Sequence, residues 1–271
     1  MAADAQAAAD FYGTLWGTVA GALVRERLAL LWPDLTGMDV LGFGFAPPYL
    51  RAWRHQAARC IAATPAQVGA TRWPVEEPNL GCLVDEDALP FPDLSFDRIL
   101  LVHGLETAQS APRALREVWR VLRDDGRLLV VLPNRLGIWA HAEATPFGHG
   151  QPFSQGQIAR LLADCLFRVE RRDSALYLPP LSWRIVLRGA GVWERVGRRI
   201  TPRFAGVTIT EGVKDLYGAV PSAGREARHR VVFPETAYSV SRPGWDAKRC
   251  SSLSDEHLHA ERLSQASRDL L

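Results

Sequence analysis

Residues 83–134, LVDEDALPFPDLSFDRILLVHGLETAQSAPRALREVWRVLRDDGRLLVVLPN, decide the fold of this chain. The apolar runs at 96–102 and 127–132 lack strict alternation, as expected for strands that are buried on both faces. Between them lies an apolar stripe at helical spacing, formed by Ala114, Leu115, Val118, Val121 and Leu122. Because strand, helix and strand follow one another, the stretch predicts a parallel α/β structure.

The same pattern continues on both sides of this stretch. Upstream, short apolar runs at 38–43, 59–63 and 80–84 predict three more strands, and residues 4–31 have the spacing of one helix. Downstream, we predict a helix at 154–164, a strand within 165–178, a basic helix at 181–200 and a last strand within 205–217. The alternation of strands and helices predicts an α/β sandwich of three layers.

Three regions are expected along the chain. Residues 1–34 form an N-terminal helical extension, and residues 35–220 form the main domain. From Pro221 onward the apolar periodicity fades and Ser, Arg, Asp, Glu and His predominate. Residues 221–271 are therefore predicted to be a mostly disordered tail.

The composition bears on the classes of partner, compartment and metal site that can be expected. The net charge of +2 gives no indication of a nucleic-acid partner, and the N-terminus carries acids instead of the basic region of a signal peptide. No apolar run reaches the roughly 18 residues of a membrane span. The four cysteines are too far apart for a zinc site or a disulfide framework: Cys60, Cys82, Cys165 and Cys250. We expect a cytoplasmic protein without a metal, and the bias toward arginine and alanine indicates a bacterial source.

The stretch from 83 to 134 resembles a known family. Its motifs are an acidic turn, ALPFPDLSFD, a strand ending in VHGLE, the helix ALREVWRVL and then DGRLLVVLPN. Together they resemble the type 11 group of class I methyltransferases, which depend on S-adenosylmethionine. With TPFGHGQPFS and DCLFRVER, the resemblance covers roughly residues 35–217. It implies a mostly parallel, seven-stranded, Rossmann-like sheet, with S-adenosylmethionine across the carboxyl ends of the first four strands.

The resemblance also implies cofactor-binding residues. Gly44 matches the first glycine of the family's glycine-rich loop, and Asp85, with Glu86 beside it, matches the acid that receives the adenine amino group. His103 is expected to face the methionine part of the cofactor. Two simpler hypotheses stand beside these: Asp85 closes a turn in DEDALP, and His103 is a strand-end histidine satisfied by backbone. His149, between two glycines, is a candidate general base or a solvated loop histidine.

Two carboxylates of the family are missing. Gly42 stands where the family has an acid before the first glycine, and Ala46 and Pro48 replace later glycines. At the end of the second strand, Ala62 or Ala63 stands where a carboxylate normally binds both ribose hydroxyls. Neutral replacements there would be Thr64 or Gln67, and an aspartate placed at Ala62 is expected to tighten binding, provided that its side chain reaches the ribose hydroxyls. If each charge-assisted hydrogen bond contributes about 1.5–3 kcal/mol, the cofactor is held more weakly than in the family.

The leading prediction is methyl transfer from S-adenosylmethionine to an unidentified small-molecule acceptor. A second hypothesis is a catalytically silent relative that binds a metabolite or a protein partner. A third, an enzyme acting on lipid at a membrane surface, rests on the predicted basic helix. In that helix Arg184, Arg188, Arg195 and Arg199 share one wedge, opposite Trp183, Val186, Leu187 and Ala190. The simpler interpretation of this helix, and the preferred one, is ordinary packing with a solvated basic face.

Overall fold

The computed structural model describes residues 2–66, 72–74, 77–142, 144–180, 189–200 and 202–216. These residues belong to one compact unit of the chain, Met1–Pro221. The predicted tail at 221–271 lies outside the described residues, as do residues 181–188 of the predicted basic helix.

Seven strands form one sheet in the order β3-β2-β1-β4-β5-β7-β6. The strands are β1 (Asp39–Gly44), β2 (Arg59–Pro65), β3 (Gly81–Val84), β4 (Phe96–Val102), β5 (Leu122–Pro133), β6 (Phe167–Ala175) and β7 (Val207–Lys214). β1 to β5 pair in parallel, whereas β7 is antiparallel to both β5 and β6. The mostly parallel, seven-stranded sheet expected from the sequence is therefore confirmed, because the central strands are buried on both faces.

Helices cover both faces of the sheet. They are α1 (Ala2–Gly13), α2 (Leu15–Leu31), α3 (Pro47–Leu50), α4 (Ala111–Val121), α5 (Gln155–Asp164) and α6 (Ala190–Ile200). Residues of α4 and α5 share one apolar cluster with the sheet, and residues of α1, α2, α3 and α6 share another. The helices of each cluster lie on one face of the sheet, which gives the three layers predicted from the sequence. No described helix is long and apolar enough to cross a membrane.

The prediction of one helix over residues 4–31 is wrong, because Thr14 divides it. The Thr14 hydroxyl accepts a hydrogen bond from Gly17 N at 3.0 Å, which caps the start of α2. The corner is tight: a Cβ on Gly17 would lie 2.0 Å from the carbonyl oxygen of Phe11. With this break, Tyr12 lies at the carboxyl ends of β1 and β4, beside Phe45 and His103.

A buried carboxylate ties α2 to the antiparallel strand. The side chain of Glu211, on β7, is fully buried, accepts a hydrogen bond from Trp32 Nε1 at 2.8 Å and pairs with Arg171 and Arg127. Burial alone would raise the pKa of Glu211, but the hydrogen bonds from Arg171 and Trp32 outweigh burial, so that the pKa is lowered. The charged form of Glu211 therefore stabilises the folded state.

Replacing this carboxylate tests that role. We expect Glu211→Gln to lower the free energy of unfolding at pH 7 by about 2 kcal/mol, because a buried charge-assisted bond is lost. A lowered folded pKa contributes stability above the ordinary value of 4.5, and this stability is lost as the pH falls through the lower folded pKa. The wild type should therefore lose stability below pH 4.5, and the variant should lose less.

Denaturant unfolding at stepped pH gives both quantities. The matched control is Glu170→Gln, whose carboxylate also pairs with Arg127 but lies partly exposed, so that the expected cost is below about 1 kcal/mol. Equal stability of the two variants at pH 7 would contradict the role of Glu211.

Candidate functional site

At the end of β1, the backbone of Gly44 lies directly against β4. Gly44 has φ +86°, a conformation that favours glycine, and a Cβ there would lie 2.1 Å from the carbonyl oxygen of Val102. The next residue, Phe45, donates its backbone N–H to the same oxygen at 2.7 Å. The chain therefore needs glycine at position 44.

Helix α3 fills the space beside Gly42, which stands where the family has its first acid. A Cβ on Gly42 would lie 2.6 Å from both Ala46 Cβ and Leu50 Cδ1, because Pro47 and Pro48 start α3 directly after the loop. Proline suits the first turn of a helix, where its missing N–H has no partner to lose. The two prolines thus produce a short helix that packs on Gly42 and leaves no space for a carboxylate.

The end of β2 is apolar. Ala62 and Ala63 are buried and pair in register with Gly42 and Phe43 of β1. Ala62 belongs to the cluster that contains Leu50 and Trp73, so that an aspartate there would bury an unpaired charge. This burial contradicts the expectation that an aspartate at Ala62 tightens binding. Thr64, also buried, is the remaining polar side chain near this strand end, and Gln67 lies outside the described residues.

Two acids lie at the end of β3. Asp85 is exposed, and its Oδ1 accepts a hydrogen bond from Asp87 N at 3.1 Å, so the predicted turn is present. Glu86 is buried, and its Oε1 accepts from Gln109 N at 2.7 Å, which links β3 to the loop after β4. Both acids line an open depression of about 470 Å³. The other lining residues are Ala66, Leu83, Val84, Asp87 and Gln109.

His103, at the end of β4, is buried and held by side chains rather than by backbone. Its Nδ1 lies 2.9 Å from Glu106 Oε1, and its Nε2 lies 3.0 Å from the hydroxyl of Tyr12. The Tyr12 hydroxyl in turn lies 2.6 Å from that of Tyr49. The hypothesis of a histidine satisfied by backbone is therefore wrong. A network of four side chains joins α1, α3 and the loop after β4.

The donor and acceptor capacities of these groups determine the direction of the hydrogen bonds. Because an ionised carboxylate only accepts, His103 donates from Nδ1 to Glu106; with a neutral imidazole, Nε2 then accepts from Tyr12, which accepts from Tyr49. Burial raises the pKa of Tyr12 and of Tyr49, and both hydroxyls remain protonated donors. Glu106 Oε2 is also buried but has no hydrogen-bond partner among the described residues. This atom can still accept a hydrogen bond from a donor that enters the site.

Aromatic rings surround the network. The ring of Tyr12 stacks on Phe45 with centroids 5.5 Å apart, and Phe147 packs against His103 at 4.8 Å. Trp139 packs against Phe147 at 5.4 Å and continues this wall. Tyr12, Tyr49 and Glu106 were not predicted as site residues, and the only sequence signal was Glu106 within VHGLE. Tyr12 carries no signal, because only the break at Thr14 brings it to His103.

His149 lies near the same region. It is exposed, and the next residue, Gly150, has φ +77° and packs against the backbone of Glu106. Gln151 N donates to the carbonyl oxygen of Glu106 at 2.9 Å, which holds the loop in place. His149, Glu106 and Gln109 line one open cavity of about 670 Å³. Within the described ranges, no cluster of three or more His, Cys, Asp or Glu could hold a metal ion.

The mostly parallel, seven-stranded sheet with helices on both faces is that of the class I methyltransferase fold. Residues 38–130 match the model of a family described as the methyltransferase domain, the type 11 group that the sequence resembles. The resemblance predicted from the sequence is confirmed over these residues. The match ends before His149 and before α6.

Similar proteins support this assignment to different extents. A SAM-dependent methyltransferase of Thermotoga maritima is 16% identical, with a TM-score of 0.53 over 74% of this chain and 92% of that one. One from Mesorhizobium loti is 12% identical, with a TM-score of 0.50 over 69% and 95%. Both show the fold. The ubiquinone/menaquinone biosynthesis C-methyltransferase of Hahella chejuensis is 53% identical over 45 residues, 17% of this chain. The match spans 18% of that relative's length.

Substituting Gly44 tests the close approach of β1 to β4. We expect Gly44→Ala to lower the free energy of unfolding by at least about 2 kcal/mol, because alanine disfavours the left-handed backbone and its methyl group would meet the Val102 carbonyl. Gly156 in α5, which has no heavy atom near its Cβ position, is the matched control. Gly156→Ala should be neutral or stabilising by up to about 1 kcal/mol. Equal denaturation midpoints for the two variants would refute this account of Gly44.

Proposed function

We propose that this chain transfers a methyl group from S-adenosylmethionine to a small-molecule acceptor. The observation that supports this most is the convergence, at the carboxyl ends of β1, β3 and β4, of Gly44, the acids Asp85 and Glu86, and the pair His103 and Glu106. Open α/β sheets bind ligands at this edge. The convergence lies within the segment that matches the methyltransferase domain.

The residues fit two of the three parts of this cofactor. An exocyclic adenine amine needs an acceptor, and the exposed carboxylate of Asp85 supplies one. The ammonium and sulfonium groups are cations, which favour the faces of Tyr12 and Phe45 and Glu106 Oε2, an oxygen that has no partner in the described part of the chain. For the ribose, the end of β2 offers Thr64 in place of a carboxylate. We therefore infer that Gly42, Gly44, Ala62, Asp85, Glu86 and His103 surround a site that holds the adenine and methionine ends firmly and the ribose loosely.

The bound cofactor would supply an electrophilic methyl group on its sulfonium sulfur. The chain would hold that group in line with the acceptor, and such alignment supplies much of the rate of a transfer reaction. The buried rings of Phe45, Phe147 and Trp139 would keep water from the network of Tyr12 and His103. We assign the cavity of about 670 Å³ to the acceptor, since its volume is in the range of small-molecule sites. We assign His149, on its rim, as the base that takes the acceptor's proton.

A silent relative is the second candidate function. It is favoured by the packing of α3 on Gly42 and by the buried methyl group of Ala62, which leave the ends of β1 and β2 without a carboxylate. Such a protein would use the same cavity to bind a metabolite without turnover. Binding of the cofactor product separates the two candidates, because an enzyme must bind it and a silent relative need not.

We expect the full chain to bind S-adenosylhomocysteine in a calorimetric titration, and Asp85→Ala to weaken binding at least about tenfold, because one charge-assisted bond of about 1.5 kcal/mol or more is lost. Asp93→Ala, which removes an exposed aspartate that pairs with Arg120 away from the depression, should bind like the wild type. No binding by the folded wild type at millimolar ligand would favour the silent relative. Binding that is indifferent to Asp85 would mean that the adenine lies elsewhere.

A further inference from the structure

The inner side of α6 is fixed to the domain. The carboxylate of Glu194 is buried and accepts hydrogen bonds from Leu176 N at 3.2 Å and Tyr177 N at 2.9 Å, at the end of β6. Gly197 packs so closely on Tyr177 that a Cβ there would lie 2.5 Å from the Tyr177 Cβ. These contacts determine which side of the helix faces outward.

The outward side of α6 is apolar. Val192, Trp193, Val196 and Ile200 are between 45% and 71% exposed. With 3.6 residues per turn they occupy an arc of about 100°, and Arg195 and Arg199 border that arc. Arg195 and Arg199 are exposed, as the predicted basic face requires, but exposed apolar side chains lie beside them, and Arg184 and Arg188 are outside the described residues.

Two other segments, which are hydrogen-bonded to each other, also carry exposed apolar residues. Phe204 follows α6 in the chain, and Leu136 and Ile138 come from the loop after β5. Asn134 donates to the carbonyl oxygens of Arg203 at 2.9 Å and Ala205 at 2.8 Å, which holds that loop beside Phe204. We call the seven side chains the α6 surface: Leu136, Ile138, Val192, Trp193, Val196, Ile200 and Phe204. Twelve large apolar residues are exposed in the described part of the chain, and seven of them are here.

Exposed arginines predominate among the charged residues of the segments that carry the α6 surface. Arg135, Arg195, Arg199 and Arg203 are exposed in the same segments. The described ranges 134–142, 189–200 and 202–206 contain one acid, Glu194, which is buried and pairs with Arg198. A partner for this surface must therefore accept apolar side chains and carry negative charge.

We propose that the α6 surface binds a membrane that contains anionic lipids. Its aliphatic and aromatic side chains enter the boundary between headgroups and acyl chains, and its arginines pair with lipid phosphates. A nucleic acid would use the arginines but would leave the aliphatic side chains in water, so the combination favours a lipid surface. The proposal does not depend on methyl transfer, because none of the seven residues belongs to the proposed cofactor site.

Vesicle flotation with the full chain tests this surface. The probes are vesicles of phosphatidylcholine alone and of phosphatidylcholine with phosphatidylglycerol. We expect binding to the anionic vesicles that falls as salt is raised and is weak on neutral vesicles. Because each basic residue near such a surface is worth about fivefold in binding, the double variant Arg195→Gln with Arg199→Gln should bind about 30-fold more weakly. Ile200→Glu should also reduce binding.

Matched controls lie away from the α6 surface. Arg113→Gln with Arg160→Gln removes two exposed arginines of α4 and α5, on the opposite face of the sheet, and Leu94→Glu alters another exposed leucine. Both controls should bind like the wild type, with unchanged melting temperatures in all variants. Absence of binding at low salt, or equal losses in the controls, would overturn the proposal. The proposal would also be overturned if the chain did not bind vesicles but self-associated, and if Ile200→Glu abolished that self-association. The surface would then bind a second copy of the chain.

Discussion

The contact between Gly44 and the Val102 carbonyl is the constraint on which the rest of the site depends. Parallel strands present their carboxyl ends at one edge, but a ligand can reach that edge only where the backbone lacks side chains. Here the left-handed Gly44 provides the approach, and Phe45 bonds to the same carbonyl oxygen. This contact sets the positions of two site residues. Tyr12 stacks on Phe45, and His103 directly follows Val102 at the end of β4.

A continuous polar network links the N-terminal helices to that edge. Tyr49, Tyr12, His103 and Glu106 are connected by hydrogen bonds of 2.6 to 3.0 Å in a largely apolar environment, where an unpaired polar group is costly. The network leaves one oxygen, Glu106 Oε2, as an acceptor for a ligand. The site thus has its carboxylates at the ends of β3 and β4, whereas the described residues at the ends of β1 and β2 carry none.

The sheet could be predicted from the sequence because strands buried on both faces give short apolar runs, and all seven expected strands are present. Asp85 and Glu86 followed from the acidic turn after β3. Tyr12 could not be predicted, since it lies 91 residues from His103 and reaches it only through the break at Thr14. The α6 surface was missed for a related reason: spacing indicates which residues share a side of a helix, but the buried Glu194 decides which side faces inward.

Hydrogen exchange with and without saturating S-adenosylhomocysteine tests the central claim most directly, namely that a cofactor binds across the ends of β1, β3 and β4. The account predicts slower exchange of backbone amides at residues 43–50, 85–89 and 103–107, and also in α1 around Tyr12, because the ligand would contact or stabilise all four segments. Amides of α5 and β6 should not change. Unchanged exchange at all four segments under saturating ligand, or slowing confined to another part of the chain, would contradict the account.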